Sequence, residues 1–414
     1  MRGEAAWHRD NLLAIYHAAL AAVEGRRRVA TFLRAHPLSG PLYVIAIGKA
    51  AAAMVRGVLD VLEPEVQRLL VITRHGYGQD IRAAHPGLVL VEAGHPVPDA
   101  RSLDAGRLLL EMIDGAPANA GFLFLISGGA SSLLEVPRPG ITLSDLQRVN
   151  RWLLAAGLPI QEMNHIRKAL SAVKGGHLLS RLAGRRVWNL LISDVPGDDP
   201  AVIGSGLLIA SGDRLPTSEA VPPWLGVLLV RAGRSRQEAS LSRGAEVETH
   251  IIAANRDARL AAAEQGRRLG YAVHLHDDFI AGDVMVAAAD LSEQQARGSA
   301  GLHVWGGEVT VRLPPRPGEG GRCQHLALLM AQKLQYMPRT LFLAGATDGS
   351  DGTAARAGAL VDSGTIGRGH EAGLDAADCL QHTDAGRFLA ASGDLIATGV
   401  TGSNVMDLLL GLGW

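Results

Sequence analysis

A chain of 414 residues is longer than one hydrophobic core ordinarily serves, so two domains are expected. A net charge of −1 and 4% aromatic residues exclude the basic excess and stacking surface of a nucleic-acid binder, and no run of about 18 uninterrupted apolar residues is present to span a membrane. Two cysteines, Cys323 and Cys379, cannot build a disulfide framework, and the polar residues Arg2, Glu4, His8, Arg9 and Asp10 interrupt any secretory apolar core, so a cytoplasmic location is expected.

Along the chain, residues 8–34 read as one amphipathic helix, with Arg26–Arg28 its solvated end. A buried strand at 42–47, a helix at 50–62, strands at 69–73 and 88–92, a helix at 101–113 and a strand at 121–126 follow. Helices at 143–156, with Thr142 or Ser144 as N-cap, and 163–182 lead to a strand at 187–192. This alternation specifies a parallel sheet covered on both faces. The proline- and arginine-rich stretch 211–245 separates it from a second α/β unit: strand 250–253, helix 256–268, strand 272–275, helix 282–298, a strand within 301–313, helix 324–335 and a last buried strand at 340–344. The expected domains are therefore 1–245 and 246–414, with a last helix that packs back on the first domain.

Five times an apolar run stops at a cluster of Gly, Ser, Thr and Asp, at 45–49, 126–132, 192–199, 344–352 and 396–404. Buried parallel strands end in this way when bare backbone must approach a ligand, and a phosphate-bearing anion suits such a site. Gly48-Lys49 lies at the first exit, where a lysine can neutralise phosphate beside a helix N-terminus; Tyr43 stands where a Walker A loop would need glycine. Only four of the 40 basic residues are lysines, and Lys49, Lys168 and Lys174 all adjoin polar motifs. Ser127, Gly128, Gly129 and Ser131 form an amide- and hydroxyl-rich nest suited to an oxyanion.

Asp194, directly after a strand, is the candidate to orient or deprotonate an attacking hydroxyl; Asp198 and Asp199 equally suit helix capping. Asp348 and Asp351 repeat the acidic theme, and Arg322 ends a glycine turn where it can clamp a carboxylate or phosphate. Neither a GxSxG elbow nor a dinucleotide GxGxxG fingerprint is present, and the histidines lack HxxxH spacing.

Together the motifs resemble the glycerate 2-kinases of the MOFRL type, over nearly the whole chain. The resemblance is carried by IGKAAAAM at 47–54, AGHPVPD at 93–99, ISGGASSLLEVP at 126–137, MNHIRKALSAVKGGHL at 163–178 and LLISDVPGDDPAVIGSG at 190–206. It continues in GGEVTV at 306–311, GGRCQHLAL at 320–328, ATDGSDG at 346–352 and TGVTGSNVMDL at 398–408. It implies a Rossmann-like N-terminal domain and a smaller α/β MOFRL domain, each a mostly parallel sheet flanked by helices, with the active site in the cleft between them. The implied reaction is ATP-dependent phosphorylation of D-glycerate at the 2-hydroxyl, with Mg²⁺ or another divalent cation, and Lys49 and Arg322 match the family's active-site lysine and arginine.

On this reading Lys49 and the nest hold the phosphates, Arg322 holds the substrate carboxylate or the transferring phosphoryl group, and Asp348 and Asp351 are metal ligands. Gly48, Lys174, Asn255 and Asn404 join the binding set. The partners are a small hydroxy acid and ATP, and a homodimer is left open. Where the family runs Asn-Gln-Glu after the arginine, this chain has Cys323-Gln324-His325, and Ser205-Gly206-Leu207 replaces its Ser-Gly-Pro. The alternatives are a kinase for a related hydroxy or sugar acid, a hydroxypyruvate reductase, or a non-catalytic sugar-acid or nucleotide binder.

Overall fold

The computed structural model describes residues 2–210, 221–234, 245–297, 300–352 and 355–414. The chain forms two compact units, residues 25–253 and residues 1–24 with 254–414.

In the unit 25–253, six parallel strands are laid out as β3-β2-β1-β4-β5-β6. They are β1 (Leu42–Ile47), β2 (Val66–Arg74), β3 (Leu88–Ala93), β4 (Gly121–Ile126), β5 (Val187–Ile192) and β6 (Val247–Ala253). Every residue of β4 is buried, as a strand covered by helices on both faces requires. Helix Ala51–Leu62 and helix Ala100–Asp114 are crossovers, the second opened by a capping box between Asp99 and Ser102. Thr142 caps helix Leu143–Ala155 as expected, through its hydroxyl and the Asp145 amide. The strand order reverses between β1 and β4, which makes their carboxyl ends the topological switch point of the sheet.

The other unit holds β7 (Val273–Asp283), β8 (Gly301–Thr310), β9 (Thr340–Ala346), β10 (Gly358–Asp362), β11 (Leu395–Ile396) and β12 (Asp407–Gly413), in the order β11-β10-β9-β12-β8-β7. Here the expectation of a mostly parallel sheet is corrected. Only β7 and β8 run parallel; β12 lies antiparallel to both β8 and β9, and β10 is antiparallel to β9 and β11. The expected last helix is also a strand. Leu408, Leu409, Leu410 and Leu412 are all buried, and Gly411 lets the backbone pass close to Gln295 and Trp305.

Three further expectations change. The helix expected over 8–34 is two, Arg2–Ala22 and Gly25–Ala35, and they belong to different units. The first is fixed where the Tyr16 hydroxyl donates to the Ala346 carbonyl at 2.8 Å and the Tyr16 ring packs against Gly345. The helix expected over 163–182 ends at Leu170, because Gly175 and Gly176 take left-handed φ of 66° and 82° before a 3-10 turn, His177–Leu182. The unit boundary falls after Ala253 rather than at 245, since β6 pairs with β5. Most of the stretch 211–245 lies outside the described residues; its described part includes helix Pro223–Arg234.

Candidate active site

The switch point gathers the first group of expected residues. After β1 the Lys49 amide donates to the Gly128 carbonyl at 2.9 Å, and after β4 the Ser127 amide donates to the Ile47 carbonyl at 2.9 Å. The two loops are thereby one structure. Ser127 is fully buried and its Oγ accepts the Ala50 amide at 3.1 Å, so this hydroxyl ties the start of helix Ala51–Leu62 to the loop. Gly48 has φ of 129°, and a Cβ there would lie 2.2 Å from Ser127 Oγ. Gly129 has φ of 88°, and a Cβ there would meet His95 Cδ2 at 3.0 Å and Lys49 Cγ at 3.5 Å. Lys49 is half-buried beside it. Among the described residues the amides of Gly128 and Gly129 donate no hydrogen bond, which leaves two N–H groups next to a lysine. This is the chemistry an oxyanion needs.

Beyond the nest a polar chain runs inward. Ser131 Oγ is 2.6 Å from Ser205 Oγ, which donates to Asn164 Oδ1 at 2.9 Å. Ser205 is fully buried at φ of 59°, between Gly204 and Gly206, which are also left-handed. A serine held in that region is strained, and here Ser131, Asn164 and the Gly175 amide all fix it. Sequence reasoning missed Ser205 and Asn164 as members of the site. The adjacency of a serine to two glycines in a strand exit was the available signal.

Lys174, expected to bind ligand, is buried and forms an ion pair with buried Glu135, whose other oxygen accepts Ser171 Oγ at 2.6 Å. Burial pushes its ammonium down, opposed by Glu135. Lys168 donates to the Ala201 carbonyl at 2.8 Å, and its ammonium is lowered by burial, opposed by Asp199. Asp194 is half-buried directly after β5, while Asp199 accepts the Ala201 amide at 2.9 Å, which agrees with its capping alternative.

In the other unit, Arg322 opens helix Arg322–Leu334 and is held by two acids. Nε and Nη2 donate to Asp407 at 2.7 and 3.0 Å, and Nη1 lies 2.8 Å from Glu308. Burial would lower the guanidinium pKa, but Asp407 and Glu308 raise it further above its ordinary value. Asp407 had not been singled out, since nothing local in VMDLLLG marks it. Asp351, an expected metal ligand, accepts the amides of Cys323 and Gln324 at 3.1 and 2.8 Å and Gln324 Nε2 at 3.0 Å. It is the cap of that helix, and burial with Asp407 nearby pushes its carboxyl up to about 6. Asp348 is buried and accepts the Ser350 amide at 2.9 Å. No group of three or more metal-ligating side chains occurs among the described residues.

Asn255, expected in the binding set, is buried. Its amide donates to the carbonyls of Val405 and Asp407 at 2.9 and 3.0 Å, fixing the entry to β12, and buried Asn404 lies in that same segment. Of the two sequence departures, Cys323 is buried with its thiol pushed up by burial and by Asp407, and His325 is buried and lowered by burial.

Comparison with known proteins decides the family. Residues 11–220 match a domain of unknown function, DUF4147, and residues 301–407 match the MOFRL family. The glycerate 2-kinase of Pyrococcus horikoshii is 32% identical, with 91% of this chain and 88% of that protein covered. The chain belongs to the glycerate kinase family. The crystal structure of glycerate kinase from Thermotoga maritima superposes with a TM-score of 0.83 at 29% identity, covering 98% of this chain and 99% of that one. A relative from Agrobacterium vitis, 35% identical over 97% of this chain and 93% of its own, carries a provisional name as a hydroxypyruvate reductase. A nicotinamide dinucleotide needs a GxGxxG fingerprint after β1, where this chain reads Gly48-Lys49-Ala50.

Proposed function

We propose that this chain transfers the γ-phosphoryl group of ATP to the 2-hydroxyl of D-glycerate, giving 2-phosphoglycerate and ADP. The observation that carries the reading is the switch point, where Lys49 and the amides of Gly128 and Gly129 converge on one loop structure. Phosphoryl transfer asks mainly for positioning and charge stabilisation, and a lysine with aligned amides supplies both. Lys49 neutralises phosphate oxygens, and the amides fix their direction. Asp194, at the exit of the neighbouring β5, orients or deprotonates the attacking hydroxyl.

Arg322 has three of its N–H groups directed at Asp407 and Glu308, so its remaining donors suit a single phosphoryl oxygen better than a two-pronged grip on a carboxylate. A divalent cation, Mg²⁺ as the first choice, would be held by one or two carboxylates together with substrate phosphates and would offset phosphate charge, with Asp348 as the candidate carboxylate. Asp351 has its oxygens taken up by the helix start and is left out of that set. Replacing Lys49 by alanine tests the assignment: D-glycerate-dependent ADP release should fall at least about a hundredfold with an unchanged melting temperature. Full activity in that variant would remove Lys49 from the reaction.

A further inference from the structure

Helix Ile160–Leu170 carries one cation that the fold does not use. Arg167 is half-buried, its Nε is out of contact with solvent, and the side chain makes no hydrogen bond among the described residues. Its neighbours on the helix are all committed, Asn164 to Ser205 and Lys168 to the Ala201 carbonyl. The one acid that acts on it, Glu135, is already paired with Lys174 and bonded to Ser171. Glu135 therefore faces two cations and can compensate one. Burial lowers the Arg167 guanidinium, with Glu135 opposing, yet arginine stays protonated in proteins. Of its three nitrogens only Nε is shut away from solvent, so the two terminal N–H₂ groups, without a protein partner among the described residues, are open to an anion.

Its place says which anion. Asn164 lies one helical turn before Arg167, about 5–6 Å away between Cβ atoms, and Asn164 is joined through Ser205 to Ser131 of the nest. The helix that carries Arg167 is thus tied, one turn away, to the loop that carries the nest. The phosphates already have a lysine and two amides. We infer that Arg167 is the specificity residue for the acceptor, its guanidinium fork pairing with the carboxylate of the hydroxy acid. The inference rests on the kinase reading, and it moves the carboxylate clamp away from Arg322, whose fork is closed on Asp407.

The test uses the full-length protein and two variants, Arg167→Gln and Arg167→Lys. Calorimetric titrations with D-glycerate, with glycerol as the neutral analogue, with inorganic phosphate and with Mg²⁺–ATP run beside steady-state kinetics. Expected are roughly 100-fold weaker D-glycerate binding and a matching rise in its KM for Arg167→Gln, partial recovery in Arg167→Lys, and no change for Mg²⁺–ATP. The melting temperature should hold or rise, because the lost cation had no partner; a fall would mark a structural arginine and overturn the inference. Loss of phosphate and ATP binding with D-glycerate unaffected would assign Arg167 to the nucleotide and also overturn it. Arg167-dependent D-glycerate binding without any turnover would sink the kinase reading and keep this one, whereas unchanged D-glycerate KM in both variants would do the reverse.

Discussion

Lys49 and Lys174 carry the same charge beside the same kind of glycine turn, and the structure gives them different surroundings. Lys49 keeps part of its surface at the switch point, whereas Lys174 is sealed against Glu135. Glu135→Gln should therefore cost about 3–5 kcal/mol in a denaturant titration, because it leaves a buried ammonium without its counter-charge, and Glu135→Leu with Lys174→Met should regain most of that loss. A single variant as stable as the parent would mean that the pair is dispensable. Asp351 predicts a pH effect. Its folded pKa, about 6, lies above the ordinary carboxyl value of 3.8, so the folded state holds a proton that the unfolded chain has released. The associated stability is fully present below about pH 4 and is lost as pH rises through 6, about 3 kcal/mol at most. Asp351→Asn should flatten this decline between pH 4 and 6; an unchanged profile would assign the slope to other groups. Which lysine serves a ligand was not legible in the sequence, since GK and KGG turns look alike until burial separates them.

Among the elements, the strands of the first unit were legible because buried parallel strands are short apolar β-branched runs ending in glycine. The expected 121–126 and 187–192 coincide with β4 and β5. The second sheet was not, since β12 reads LLLGLG and leucine gives no preference between a buried strand and a helix. The break between helices at residues 23–24 was missed although Gly25, a helix stop signal, follows it directly. Gly48 tests the strand exit as an element. Gly48→Ala places a methyl 2.2 Å from Ser127 Oγ in a backbone region that alanine avoids, so stability should drop by about 1–3 kcal/mol and activity should fall with the displaced loop. An active Gly48→Ala enzyme of parental stability would show that the close approach of the two loops is not required.

At the scale of the whole molecule, the chain begins in one unit, builds the six-stranded parallel sheet over 25–253, and returns with 254–414 to complete the unit in which it began. Two-domain organisation was readable from length, but the crossing of the N-terminal helix was not, because it depends on contacts hundreds of residues apart. The strand order of the first unit is compatible with dinucleotide chemistry as well as with phosphoryl transfer, so topology alone cannot separate a reductase from a kinase. The loops separate them, since after β1, where a glycine fingerprint would stand, this chain reads Gly48-Lys49-Ala50. The decisive measurement is a coupled assay of ADP release from Mg²⁺–ATP with D-glycerate, with the product identified by conversion through enolase and with NAD(P)H oxidation on hydroxypyruvate followed in parallel. The account predicts D-glycerate-dependent ADP release, a product that enolase consumes directly as 2-phosphoglycerate, and no hydride transfer. NAD(P)H oxidation with hydroxypyruvate and no ADP release would contradict it.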